Sequence, residues 1–180
     1  GVFEEKGVRA AALAARDLVG LHPGRIELHV FGTGEPSIAA EFAGAAGLYF
    51  HGNVNADEIR GFATRRRCCG LAMLRASPRY DLAGTNLTKL YEYLALGMPV
   101  IVSNVGEIGA FVEAGQVGLT VDKMLSLDEI RSAMSNMLLD DAAFDLCSER
   151  ARALMLRDDM TWESEWRKVA DTGIFAGVAT

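Results

Sequence analysis

The sequence predicts an α/β fold: a doubly wound, mostly parallel sheet with helices on both faces. Three observations carry this expectation. Short apolar runs alternate with amphipathic helical stretches along most of the chain, the order that parallel βαβ units require. The run Pro99-Val100-Ile101-Val102 is apolar, β-branched and short, as a strand buried on both faces should be. Finally, 50% of 180 residues are hydrophobic, enough for one sizeable core, so a single domain over residues 1–180 is expected.

The elements follow in order. A helix is expected from Gly7 to Leu18, with Ala10, Ala11, Leu13, Ala14 and Leu18 on one side and His22-Pro23-Gly24 as its stop. Ile26 to Phe31 reads as a strand ended by Gly32-Thr33-Gly34. Ser37 is placed to cap a helix reaching about Ala46, and Leu48 to Phe50 forms a second strand. Asn55 or Asp57 opens the next helix, which ends near Arg65-Arg66-Arg67. Gly70 to Leu74 is the third strand, and a polar loop follows from Arg75 to Gly84. A helix from about Leu87 to Leu96 is stopped by Gly97. After the Pro99 to Val102 strand come a helix from Glu107 to Glu113 and a last strand from Leu119 to Val121. The remainder is helical: Leu127 to Leu139, Ala142 to Leu156, and Trp162 to about Ala170. Gly1 to Phe3 resembles the end of a strand whose body is missing or lies upstream, since such sheets open on a strand that feeds the first helix.

Bulk properties narrow the function. A net charge of -6 works against a broad nucleic-acid surface, which needs many Lys and Arg on phosphates, yet leaves room for a small phosphorylated ligand. No apolar run is long enough for a transmembrane helix, and the start of the chain is acidic where a signal peptide is basic. Cys68, Cys69 and Cys147 have no Cys-x-x-Cys spacing and are expected as reduced thiols. The cytoplasm is therefore the expected location, with peripheral attachment to a membrane as a variant. His, Cys and carboxylates show no metal-ligand spacing, so no metal is expected. Gly32-Thr33-Gly34 continues as Glu35-Pro36-Ser37, which breaks the dinucleotide fingerprint at its third glycine, so no dinucleotide cofactor is expected.

Ligands of open parallel sheets bind beyond the carboxyl ends of the strands, and the richest loop there is the segment from Asn86 to Ser103. A polar loop leads into a helix that carries Lys89 and Glu92 at i, i+3, followed by a Gly-x-Pro lead into the buried strand. The backbone N–H groups of Leu87 to Lys89 and the positive end of the helix dipole attract phosphate oxygens. Glu92, one turn further in, is an acceptor for a ribose diol. The plain alternative is a surface Lys–Glu pair contributing ~0.2–0.5 kcal/mol. Other residues have plain readings too. His51 makes a structural hydrogen bond or faces the ligand. Arg65 to Arg67 sit where a helix C-terminus favours positive charge. Arg75 directly follows a strand and is a candidate ligand contact, Asp81 a weaker one. Met124, Met134 and Met137 lie at helical core spacing.

The run Lys89-Leu90-Tyr91-Glu92-Tyr93-Leu94-Ala95-Leu96-Gly97-Met98-Pro99-Val100-Ile101 resembles the signature of glycosyltransferase family 4, a family of GT-B architecture. Further segments are similar in the same order: Lys6-Gly7, Val30 to Glu35, Phe50 to Val54, Val117-Gly118-Leu119 with Asp122, and Thr161-Trp162. The resemblance covers nearly the whole chain and corresponds to the family's C-terminal, donor-binding domain, a Rossmann-like half of the two-domain enzyme. It implies that Glu92 binds the donor ribose, that Lys6 and Lys89 serve the diphosphate with the amides of Leu87 and Thr88, that Gly32 forms a turn at the ligand edge, and that Val54 lies by the nucleobase. Lys6, Lys89 and Glu92 are the implied catalytic set. The donor, a UDP- or GDP-sugar, is substrate; no cofactor or metal is implied, and anomeric configuration is retained. The acceptor, a glycan, lipid or small molecule, would be held by an N-terminal domain outside this sequence, so the isolated domain should bind without transferring. Gly84 stands where many relatives carry a glutamate that contacts the transferred sugar, which leaves that contact unassigned. The alternatives are a GT-B-shaped nucleotide-sugar epimerase using His51 and Asp81, and a non-catalytic nucleotide-sugar-binding module.

Overall fold

The computed structural model describes residues 2–82, 84, 85, 87–160, 164 and 167. Their strands are β1 (Leu28–Phe31), β2 (Leu48–Gly52), β3 (Gly70–Ala72), β4 (Val100–Ser103) and β5 (Gly118–Val121). The helices are α1 (Val8–Leu21), α2 (Pro36–Glu41), α3 (Ala56–Thr64), α4 (Pro78–Asp81), α5 (Thr88–Ala95), α6 (Ile108–Gly115), α7 (Leu127–Leu139) and α8 (Asp141–Met155). A 3-10 turn at Glu4–Lys6 precedes α1.

Every strand pairing is parallel, but the strands form two hydrogen-bonded groups, β1-β2 and β3-β4-β5, where a single sheet was expected. The segment from Val2 to Gly7 runs between their carboxyl ends. Val2 bridges Gly34 in parallel, and the Arg75 N–H beyond β3 donates to the Glu5 carbonyl at 2.9 Å. The expected strand end is thus present at Val2; Gly1 lies outside the described residues.

Helices cover both faces, and β4 shows why. All four of its residues are buried. Ile101 belongs to a core with α1 residues Ala12, Ala14 and Leu18 and α7 residues Ile130, Met134 and Met137. Its neighbours Val100 and Val102 face the opposite way, into a core with Leu90 and Leu94 of α5, Ile108 and Val112 of α6, and Ala151 and Leu154 of α8. The two-residue period of a strand, applied to the apolar run Val100 to Val102, requires two apolar layers.

Several boundaries shift for physical reasons. β1 starts at Leu28, where the Leu28 N–H meets the Gly47 carbonyl at 2.7 Å, so the expected start at Ile26 is corrected. Pro36 occupies the first turn of α2, and Ser37 lies inside that helix instead of capping it; α2 ends at Glu41, short of Ala46. The supposed loop from Arg75 to Gly84 holds α4, whose cap Ser77 accepts from the Tyr80 N–H and whose Pro78 is preorganised for the first turn. Asn55 caps α3, accepting from the Glu58 N–H at 2.9 Å. Met134 and Met137 are core residues, but Met124 is exposed. The expected Trp162 to Ala170 helix lies outside the described residues. All three cysteines are free, and burial pushes the Cys69 thiol far above its usual range. No helix among the described residues is long and apolar enough to cross a membrane.

The polar face of β1 and β2 carries a ring cluster. His29 Nδ1 and His51 Nε2 are 2.9 Å apart, His29 Nε2 lies 3.0 Å from Glu27 Oε2, and Phe31 stacks on His51 at 4.5 Å. If His29 Nε2–H donates to Glu27, its Nδ1 must accept from His51, which fixes both tautomers in the neutral form. Burial, with the His29 charge second, holds the His51 imidazole below its usual pKa. A depressed folded-state pKa means that the unfolded chain takes up the proton first as the pH falls. The stability is present above the ordinary value of 6.5 and is lost as the pH drops through the folded value. The urea midpoint is therefore expected to decline below pH 6.5, by less than the ~1.4 kcal/mol per pH unit of a full single-proton linkage because His51 is partly solvated. In His51→Gln that decline becomes shallower; an unaltered slope would clear His51 of the effect.

Candidate functional site

The carboxyl ends of the strands gather the loops that the sequence singled out. Gly32 follows β1 and donates its N–H to the Gly52 carbonyl at 2.6 Å, which joins that turn to the end of β2. Val54 lies two residues beyond, half-buried, just before the Asn55 cap. The 3-10 turn at Glu4–Lys6 sits beside the end of β3 through Arg75, whose guanidinium pairs with Glu4. Arg75 is therefore neutralised in place, and its part is to hold the loop after β3 against the start of the chain.

Beyond β4 the packing is equally specific. Ser103, fully buried, donates from Oγ to the Leu74 carbonyl at 2.6 Å. This ties the ends of β3 and β4 together. Gly106 packs against the α4 backbone, where an added methyl would come within 2.9 Å of the Tyr80 carbonyl oxygen. Thr85 and Tyr91 join the loop before α5 to the helix itself through a 3.0 Å hydroxyl–hydroxyl bond, and Tyr91 leans on Phe111 of α6 at 5.8 Å. The starts of α5 and α6 are thereby held side by side.

The charges at this edge matter most. Leu87, the N-cap of α5, makes no side-chain capping bond, and its own N–H is taken by the Thr85 carbonyl at 2.7 Å, so the expected Leu87 amide is corrected; the helix start presents the Thr88 and Lys89 N–H groups, which no side chain among the described residues covers. Lys89 and Glu92 are exposed and make no ion pair with each other or with any described residue. The surface-pair alternative is not realised. Lys6 likewise has no acidic partner among the described residues; its ammonium lies 5.1 Å from the Phe3 ring centroid. Asn86, with which the segment opened, lies outside the described residues. An edge with two unneutralised cations, an open helix start and one free carboxylate suits a ligand that is anionic in its middle and rich in hydroxyls at its ends.

Other candidates are accounted for by structure. His51 is committed to His29 and Phe31, which supports its structural reading over a proton-transfer role. Arg66 bonds to Glu27, and Arg67 bridges to Asp141 and Asp145 while lying over the Phe144 ring, so the basic run fastens α3 to its surroundings. A cleft of about 510 Å³ lies beside β5 and α7, lined by Asn104, Asp122, Asp128, Glu129 and Asn136. Its carboxylates are already engaged: Glu129 accepts from the Asp122 N–H, Asp122 from the Met124 N–H, and Asp128 pairs with Arg131. It is acidic, which disfavours an anionic ligand there. Glu107 escaped notice in the sequence, where it read only as a helix start; nothing local signals its proximity to Gly84.

The profile of the family described as Glycosyl transferases group 1 matches residues 1–140. The chain belongs to that family. No curated protein matches it. Among solved structures, this group 1 glycosyltransferase chain is similar to WaaG, a glycosyltransferase involved in lipopolysaccharide biosynthesis, with TM-score 0.71 and 19% identity over 93% of this chain and 43% of that one. It is similar also to sucrose-phosphate synthase from Thermosynechococcus elongatus, with TM-score 0.66 and 19% identity over 97% of this chain and 43% of the other. The OtsA apo structure follows with TM-score 0.62 and 15% identity over 93% and 40%. At these identities the likeness establishes the fold, that of the C-terminal half of a GT-B glycosyltransferase. The chain spans about two fifths of the length of each of these structures.

Proposed function

We propose that this chain binds a nucleoside-diphosphate sugar, of the UDP or GDP kind, and presents it for glycosyl transfer to an acceptor glycan, lipid or small molecule held by a further, N-terminal domain. The observation that supports the reading is a set of charges with no ion-pair partner among the described residues: Lys6 in the turn before α1, and Lys89 and Glu92 in α5, whose N-cap Leu87 makes no side-chain capping bond. The diphosphate lies against the α5 start between Lys6 and Lys89, receiving N–H bonds from the Thr88 and Lys89 backbone, while the Leu87 N–H stays on the Thr85 carbonyl. Glu92 accepts from the ribose diol one turn further along. Val54 borders the nucleobase, and the Gly32 turn leaves room for the donor. As the glycosidic bond breaks, charge grows on the departing diphosphate, and fixed dipoles and cations stabilise that charge without reorganising. Those groups are the chain's own, so the reaction needs no metal at this site, and the expected stereochemistry is retention.

Thermal unfolding with UDP, GDP, ADP and dTDP, each alone and as a sugar conjugate, tests the reading. A ligand that binds only the folded chain raises stability by ~2.7 kcal/mol at one hundred times its Kd, and each kcal/mol raises the midpoint by ~2–4 °C at this chain length. At least one nucleotide should raise the midpoint at millimolar concentration. If none does, the donor site is not there.

A further inference from the structure

The geometry points to Glu107 as the residue that reads the glycosyl group of the donor, through hydrogen bonds from free hydroxyls of an uncharged sugar. This rests on the donor reading above and deepens it.

Gly84 is held in the left-handed region, with φ +57, on the loop before α5. Among the described residues, a methyl group added there would touch one atom within 4 Å, the Glu107 Oε2, at 3.5 Å. A carboxylate from a different loop therefore borders the space that a side chain at Gly84 would enter, at ordinary van der Waals distance. The juxtaposition is fixed on both sides. The Thr85–Tyr91 bond ties the Gly84 loop to α5, the Tyr91–Phe111 contact ties α5 to α6, and Gly106 sits against the Tyr80 carbonyl. Glu107 itself is the N-cap of α6, yet its side chain makes no capping bond and has no ion-pair partner among the described residues. It is an exposed acceptor with spare lone pairs.

Position selects the ligand group. Along the chain, Glu92 lies four residues beyond the Thr88 helix start where the donor reading puts the diphosphate, and the Gly84 loop, with Glu107 against it, precedes that start. In a nucleoside-diphosphate sugar the diphosphate separates the ribose from the transferred sugar. If Glu92 takes the ribose, the carboxylate at Gly84 meets the sugar. A carboxylate accepts from hydroxyls and repels a second anion, so neutral hexoses fit and uronic acids do not.

The test is isothermal titration of the full chain and of Glu107→Gln and Glu107→Ala with UDP, UDP-glucose, UDP-glucuronate, GDP and GDP-mannose. Glu107→Gln preserves shape, and its unfolding midpoint controls for folding. The expected result is a loss of about tenfold in affinity for the best sugar conjugate in Glu107→Ala, with the free nucleotide changed less than about twofold. In Glu107→Gln, discrimination against UDP-glucuronate should shrink. Equal losses for nucleotide and conjugate, or no loss for either, overturn the assignment while leaving the donor site standing. If the unaltered chain binds no nucleotide, both readings fall together.

Discussion

Gly7→Ala is expected to destabilise the chain by about 2–5 kcal/mol, the sum of a left-handed backbone cost of ~1–2 kcal/mol and an overpacking cost of ~1–3 kcal/mol. Gly7 has φ +63, and a methyl group there would lie 2.1 Å from the Met73 carbonyl oxygen and 2.9 Å from the Met73 Cβ. Neither neighbour is the far end of a flexible side chain, so the α1 start must move away from the end of β3. That movement reaches the site, because Lys6 is the preceding residue and its turn closes with the Gly7 N–H on the Glu4 carbonyl at 2.9 Å. Folding stability and nucleotide affinity should therefore fall together. Gly24→Ala is the control: its φ is +73, yet nothing lies within 4 Å of an added methyl. It should cost only the backbone share, ~1–2 kcal/mol. Urea midpoints at unchanged m-value compare the two variants directly. Equal costs would mean that the Met73 contact yields without penalty.

Glu92→Ala is expected to weaken nucleotide binding by about 10- to 100-fold, from the ~1.5–3 kcal/mol associated with hydrogen bonds to a charged group, while the fold is undisturbed. The stability half of this follows from the absence of an ion pair: no partner among the described residues loses a bond, and the side chain is exposed. The affinity half follows from its place one turn inside the α5 start. Glu92→Gln should recover part of the loss, since an amide oxygen still accepts. Titration of the best nucleotide from the thermal survey reads both variants. Unchanged affinity in Glu92→Ala would leave Glu92 an ordinary surface residue and remove the ribose contact from the proposal.

The fold was largely legible because its signals are local. The unbroken apolar run in β4 announced burial on two faces, and the stop at Gly97 announced the end of α5, where the Gly97 N–H closes on the Leu94 carbonyl at 2.9 Å. The α4 turn was hidden for the opposite reason. Four residues show no periodicity, and the capping Ser77 with Pro78 read as loop chemistry. The division of the strands into two hydrogen-bonded groups was equally invisible, because it depends on where Val2 to Gly7 lies between the ends of β1 and β3.

At the site, the sequence by itself determined the residue types and their order: a basic residue before a glycine, an uncapped helix start, and Lys89 and Glu92 one turn apart. Those facts follow from spacing along a single helix or turn. Only the tertiary structure decided which charges stay free. Arg75, three residues past β3, is neutralised by Glu4 from the start of the chain; His51 is captured by His29; Lys89 and Glu92 ignore each other. It alone decided, too, that Glu107 stands against Gly84. Whether a charge is neutralised or available is set by what another loop brings within about 4 Å, and separation along the chain does not specify that distance.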